Sequence, residues 1–397
     1  MIWKVKVVMN KFRSIKDYKN LKTLKSIIFI SLLLLFFCDK NIGQSFSYEE
    51  AYKSGIVKTK LDFSIGGDTD IPSEMLIEPS IVRVDNNGNI FILDSKDYCI
   101  KKYDKNGKLL KKFGRNGSGP GEFNMCNSLE IGPNGDIFIF DLMNFRFTVF
   151  SNNGEYLRTK NVNYVVRKFR VSQFGIYIET REKSNATNSI GDTIIVTQYS
   201  QNFKKRKEIF RYYQKSNIYF RGKKTRSNMP IPFHETAIWV ISRGCNIIVA
   251  FTDGYKIRTY SPNGGLIREF THSGEKERVT EKDKSKYFAG ITNWSSKGSE
   301  SRGASKFIRD NTEFPDYKPN FRELHIDSEG NILLTTYKKK GKYLLVDVFR
   351  EKGEFIEQVK IAEDVLRYGS LLKDGYILSN YGGDNLFGEV KKFKVVY

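Results

Sequence analysis

SIVRVDNNGNIFILDSKDYCIKKYDKNGKLLKKFGRNG, residues 80–117, returns at a shift of 47 as NSLEIGPNGDIFIFDLMNFRFTVFSNNGEYLRTK, residues 127–160. At that shift Asn87-Gly88 meets Asn134-Gly135, Ile90-Phe91-Ile92 meets Ile137-Phe138-Ile139, and Asp94 meets Asp141. Tyr103 falls against Phe150, and Asn106-Gly107 against Asn153-Gly154. A self-similar unit of this length is the size of a propeller blade. Alternation such as Val82-Val84 and Ile90-Ile92 has the period of two of a β-strand. The Asn-Gly pairs predict tight hairpins with both central residues at positive φ. Asp94 and Asp141 are expected to accept hydrogen bonds from turn amides, as turn formers rather than catalysts.

Working outward, the same rhythm continues more weakly. Units are expected at 79–117, 126–162, 164–212, 235–270, 319–361 and 364–397, with insertions at 213–234 and 271–318. The last unit has only three strands of its own. GIVKTKLDFSI, residues 55–65, alternates and precedes the first unit. It is expected to pair with Glu389 to Val396 and hide two sheet edges. The predicted fold is therefore all-β: a six-bladed β-propeller of four-stranded antiparallel blades, closed by its N-terminal strand over 55–397. Such a ring buries both faces of every blade, so short strands can share one core. Within the long insertion, TEKDKSKYFAGITNWS predicts a short helix, whereas SSKGSESRGASKF reads as flexible.

The two quoted units resemble NHL-type repeats of six-bladed propellers, and GRNGSGPGEF, Gly114 to Phe123, resembles the interblade segment of that family. The whole chain looks like the exported or lipid-anchored bacterial members of this group. The strong motif matches cover 79–162, with the remainder matched by pattern. The resemblance implies binding of proteins, sugars or RNA, or lyase or lactonase activity, so the fold constrains function weakly.

The N-terminus supplies an address. Residues 4–25 carry eight basic side chains and one acid, then IIFISLLLLFF runs from Ile27 to Phe37, followed by Cys38. A basic region, a short apolar region and a polar exit make a secretory signal over 1–37. Eleven residues, all apolar but Ser31, are short for a membrane span, which needs about 20. Leu35-Phe36-Phe37-Cys38 resembles a bacterial lipoprotein signal, with Cys38 lipidated and 38–54 a tether. Phe37 departs from that pattern, which usually has a small residue before Cys. Ordinary cleavage and an uncleaved anchor are the alternatives. The expected location is the cell envelope, anchored by lipid to a bacterial membrane.

Function is less legible. The chain has 397 residues, 40% of them apolar and 14% aromatic, which excludes a disordered chain. Loss of the leader, with its eight basic residues and one acid, takes the net charge from +21 to +14. A basic surface favours anionic partners without naming one. Lys204, Lys205, Arg206 and Lys207, with Lys215, Arg221, Lys223, Lys224 and Arg226 in an aromatic-rich stretch, are candidates for an anionic ligand such as an acidic glycan. Export argues against nucleic acid as the natural partner. His234, His272 and His325 are the only histidines, and their spacing matches no metal motif. No Walker A run, HExxH, GxSxG or CxxC occurs, so no catalytic residue, metal or cofactor is expected. No structural disulfide is expected among Cys99, Cys126 and Cys245. The leading expectation is a tethered binding or scaffold module for an unknown protein or anionic glycan. The alternatives are a propeller lyase or hydrolase with a central-channel active site, and a structural component of an envelope complex.

Overall fold

A computed structural model describes residues 47–67, 71, 74–183, 191–214, 217–221, 226–294, 299–367, 369–381 and 387–396. The leader and Cys38 lie outside these residues, as do Lys215, Lys223 and Lys224. Residues Ser47–Tyr397 form one compact unit with an all-β, propeller-like architecture.

The unit opens with helix α1 (Tyr48–Lys53) and strand β1 (Ile56–Gly66). Four antiparallel four-stranded sheets follow. The first holds β2 (Pro79–Val84), β3 (Ile90–Asp94), β4 (Cys99–Tyr103) and β5 (Leu109–Phe113). A short parallel bridge of β6 (Arg115–Asn116) and β7 (Glu122–Phe123) leads to the second: β8 (Cys126–Ile131), β9 (Ile137–Asp141), β10 (Arg146–Phe150) and β11 (Tyr156–Asn161). The third holds β12 (Lys168–Ser172), β13 (Gly175–Lys183), β14 (Asp192–Tyr199) and β15 (Lys205–Gln214). A hairpin of β16 (Asn217–Arg221) and β17 (Arg226–Pro230) separates it from the fourth: β18 (Ala237–Ile241), β19 (Ile247–Phe251), β20 (Lys256–Tyr260) and β21 (Leu266–Thr271). Helices α2 (Glu281–Trp294) and α3 (Ser299–Asn311) come next. The remaining strands are β22 (Phe321–Ile326), β23 (Ile332–Lys340), β24 (Tyr343–Phe349), β25 (Phe355–Ala362), β26 (Leu371–Lys373), β27 (Tyr376–Tyr381) and β28 (Glu389–Val396).

The second strand of each repeat explains the packing. β3, IFILD, is buried at every position because both its faces are covered. Ile90 and Ile92 point to one neighbour, in a cluster with Ile65, Val82 and Leu378. Phe91 and Leu93 point to the other, in a cluster with Leu129, Ile137 and Ile139. β9 repeats the division, with Phe138 and Phe140 packing against Phe169 and Ile178 of the next sheet. β19 does the same, Ile247 and Val249 on one side and Ile248 and Ala250 on the other. A continuous apolar run is therefore a period-two strand with a greasy partner on each face.

The expected β1 pairing is present. Lys58 through Gly66 run antiparallel to Val396 through Glu389, with one irregularity between Leu61 and Phe63. One feature departs from separate four-stranded blades. Ile56 and Val57 also pair in parallel with Lys360 and Ile361, so β22–β25 and β1, β28, β27, β26 merge into one eight-stranded sheet. Within the stretch read as a tether, residues 48–53 are helical and docked. Tyr48 and Tyr52 are buried, the Tyr52 hydroxyl donates to Asp327 at 2.9 Å, and the Tyr48 amide donates to Glu329 at 2.7 Å.

Two local expectations are corrected. In the Asn-Gly hairpins only glycine takes positive φ, as at Gly88 (φ 83), and Asn87 does not. Gly88 N–H donates to Asp85 O, and Asp85 N–H to Asn89 O, which makes a wider turn ending in a glycine bulge. The Asp85 side chain stabilises it by accepting from the amides of Asn87 and Asn89 at 2.8 and 2.9 Å. The second correction is SSKGSESRGASKF, much of which lies in α3. Ile308 is fully buried against Ile231 and Ile291, so a tertiary apolar contact stabilises a helix of weak intrinsic signal. Asp94 and Asp141 do accept from amides, but chiefly from the segment entering their own sheet. Asp94 takes Ile77 and Glu78 N–H at 2.8 Å each, and Asp141 takes Asn124 and Met125 N–H at 2.9 and 3.1 Å.

Cys99, Cys126 and Cys245 are free thiols. Burial, first of all, pushes the Cys99 and Cys126 thiols well up, and Asp97 and Asp141 respectively add to it. Since the thiolate is the nucleophile, neither should be alkylated by iodoacetamide at pH 8 in the folded protein. Both should label in denaturant. Native labelling of Cys99 at the denatured rate, read by peptide mass, would contradict this burial.

Candidate functional site

The first strands of the repeats, β2, β8, β12, β18, β22 and β26, together line one cavity of about 1540 Å³. Alternation again decides which side chains reach it. In β2, Val82 is buried between sheets while Arg83 faces the cavity. Leu129 and Glu130 divide in the same way in β8, and in β12 Phe169 is buried while Lys168 and Arg170 line the wall. Ile238 and Val240 of β18 and Leu371 of β26 make another part of the wall apolar.

Glu130 is the electrostatic centre. Its Oε1 accepts from Arg83 Nε at 3.0 Å and Nη2 at 2.6 Å, and from Arg170 Nη1 at 2.5 Å. One largely buried carboxylate thus balances two guanidiniums, and the trio keeps a surplus positive charge. Around the whole wall Lys and Arg occupy seven positions against four Asp and Glu.

A second group surrounds Trp239. Its indole N–H donates to Glu179 Oε2 at 2.8 Å, and Lys168 Nζ lies 4.8 Å from the ring centroid and donates to the Trp239 carbonyl. Desolvation and then the Arg170 charge pull the Lys168 amine down to about 7, despite the opposing pull of Glu179 and Glu130. The unfolded amine holds its proton to a much higher pH, so the native state binds fewer protons above pH 7. The penalty of charging Lys168 in place is therefore full below pH 7 and is relieved as pH rises. Lys168→Met should melt at a higher temperature than the parent at pH 6, and the gap should shrink by pH 9. An equal gap at both values, in melts followed by circular dichroism, would refute the lowered pKa.

The third group is on β22, where His325 Nε2 lies 3.1 Å from Glu323 Oε2 and Arg322 Nε 3.6 Å from Glu323 Oε1.

The sequence candidates fall elsewhere. Lys204 precedes and Lys205 to Lys207 begin β15, the outermost strand of its sheet, where Arg206 donates to Phe174 O at 2.8 Å and Lys207 to Asn263 O at 3.3 Å. Arg221 and Arg226 are opposite each other in the β16–β17 hairpin. The histidines are dispersed. His234 contacts Glu313 O at 3.2 Å, His272 stacks on Phe355 at 4.9 Å, and only His325 borders the cavity. Among the described residues no group of three His, Cys, Asp or Glu is placed to hold a metal ion. The cavity residues were missed because their signal is faint. It consists of one or two charged side chains among apolar neighbours in a short strand, as in VRV, LEI and KFRV.

A profile of the family described as a 6-bladed beta-propeller (DUF5128) matches residues 72–233. No curated protein matches the chain. Among solved structures, a protein of Bacteroides fragilis described as exported is 12% identical, with a TM-score of 0.52, covering 86% of this chain and 96% of its own. A DUF4221 family member of Bacteroides vulgatus is 11% identical at a TM-score of 0.46, covering 86% and 99%. Virginiamycin B lyase from Staphylococcus aureus is 10% identical at 0.43, covering 85% and 100%. At these identities the likeness is one of fold alone, a β-propeller.

Proposed function

We propose that this chain is a six-bladed propeller, NHL-like in its repeats, exported and anchored through lipid on Cys38, that binds a ligand in its central cavity. The observation that carries the binding reading is the cavity itself: one wide concave space, walled by first strands and mixing charged groups with apolar surface. Ligand sites are typically concave and largely preformed. The six-blade count is supported by six lining strands and by the pairing of β1 with β28. An enzyme reading, a lyase or hydrolase, would draw on the Glu323–His325 contact in the same wall.

The test is a thermal-shift screen of the full chain in detergent micelles, using neutral, cationic and anionic small molecules, repeated with Val240→Trp to fill the cavity. Hits lost in the variant support binding in the cavity. Hits that survive it, or none at all, oppose it. Mass spectrometry of the mature N-terminus checks the anchor, and a free amine beyond Cys38 or an intact leader would remove it.

A further inference from the structure

The Glu130 centre and the apolar part of the same cavity's wall point to a ligand class. We propose that the cavity takes an anion with an apolar body, its oxyanion group held by the Arg83 and Arg170 guanidiniums and its body against Ile238, Val240 and Leu371. This rests on the binding reading above and names the chemistry that reading leaves open.

Three features support it. Arg83 and Arg170 converge on a single carboxylate oxygen, Glu130 Oε1, so the centre already has an oxyanion-holding geometry. Guanidinium forks match planar carboxylates and tetrahedral sulfonates or phosphates better than an ammonium does. Second, Lys and Arg outnumber Asp and Glu seven to four around the wall; Arg181 and Arg322 lie beside Glu179 and Glu323, while Arg167 is exposed at the cavity's border. A low-dielectric concavity with a net excess of one sign of charge concentrates the opposite ion. Third, Ile238 and Val240 are half-buried at the wall, leaving apolar area that a ligand body would cover. The outer basic run at Lys204 to Lys207 is no part of this cavity: its residues are exposed, with Lys205 to Lys207 on the outermost strand β15.

The probes are 2-naphthoate, 2-naphthalenesulfonate, neutral 2-naphthol and inorganic sulfate, titrated calorimetrically into the full chain in micelles against a micelle-only reference. Naphthoate or naphthalenesulfonate should bind one to one and at least tenfold tighter than naphthol. Whichever is tighter identifies the oxyanion, and sulfate alone should bind more weakly than either because it lacks the body. Arg83→Gln and Arg170→Gln should each weaken the anion tenfold or more. Should those variants fail to fold, two measurements remain: Arg167→Gln, an exposed change, should weaken binding severalfold, and so should raising NaCl from about 50 to 500 mM on the unaltered protein.

Naphthol binding within threefold of the anions, or affinity indifferent to both the arginines and salt, would overturn the anionic class. Loss of binding on changing Lys204, Lys205, Arg206 and Lys207 together, with the cavity arginines silent, would overturn it as well and move the site to the outer edge. If none of the four probes binds while the compound screen gives neutral or cationic hits that Val240→Trp abolishes, the class fails and cavity binding stands. If both experiments are blank, both fail.

Discussion

Deleting residues 55–66 should abolish soluble folding, or leave a chain that assembles with other copies through an open sheet edge. β1 is an interior strand of the eight-stranded sheet, paired along its length with β28 and at its start with β25. Removing it uncovers a row of amides and carbonyls on β28, a template for wrong pairing. It also strips Ile65, 4% exposed, and the partly buried Phe63 from the cluster that holds Val82, Ile90, Leu378 and Val390. Ile65→Ala by itself should cost about 2–5 kcal/mol, a large share of the about 5–15 kcal/mol that stabilises a domain. The deletion adds loss of the strand's hydrogen bonds and of the path that lets α1 reach Asp327. The strand end is tightly fitted too: Gly66 has φ 82, and a Cβ there would meet Gly388 O at 2.7 Å. Soluble yield, elution volume and a thermal melt decide the matter. A monomer that melts within a few degrees of the parent would show that β1 does not close the fold.

Glu130→Gln should be the most destabilising single change in the cavity wall. The carboxylate is one-tenth exposed and the Arg83 and Arg170 side chains are 20% and 24% exposed, so little water is present to replace its charge. Removing one member of a buried charge group leaves the others uncompensated, typically at about 3–5 kcal/mol. Here two guanidiniums would face each other across a neutral amide. The melting temperature should fall by several degrees at least. Adding Arg83→Gln should recover part of the loss, because it removes one of the two stranded charges. Equal melting temperatures for Glu130→Gln and the parent, or simple additivity in the double variant, would mean that solvent already screens the group. The anion proposal adds an opposite sign for binding: below its melting temperature Glu130→Gln should hold naphthoate more tightly, since the internal competitor is gone.

Much of the fold was legible because it is local and repeated. The shift of 47 located two sheets from residue identity, and the alternation of 57–65 gave both the existence and the partner of β1. Glycine in each Asn-Gly pair marked a hairpin correctly, while the turn type depended on the Asp85 carboxylate, which the dipeptide does not reveal. Helix α3 was hidden because its stabilising contact, Ile308 with Ile231 and Ile291, joins segments far apart in the chain. The basic run at 204–207 was conspicuous precisely where it matters least to the cavity, since contiguous charge belongs to an exposed edge. Cavity charge comes from strands far apart in the chain, from Arg83 through Glu130 and Arg170 to Arg322, so no single window of sequence collects it.

Sequence alone determined the strand periods, the repeat and the closing strand, since each is a property of neighbouring side chains or of a single spacing. Only the tertiary structure decided that Arg83, Glu130 and Arg170, spaced 47 and 40 residues apart, share one carboxylate oxygen. It also decided that Lys168 lies over Trp239, 71 residues on, in a setting that lowers its proton affinity. The reason is physical: a side chain's charge depends on desolvation and on partners that the fold brings together, and those distances are set by how whole sheets pack.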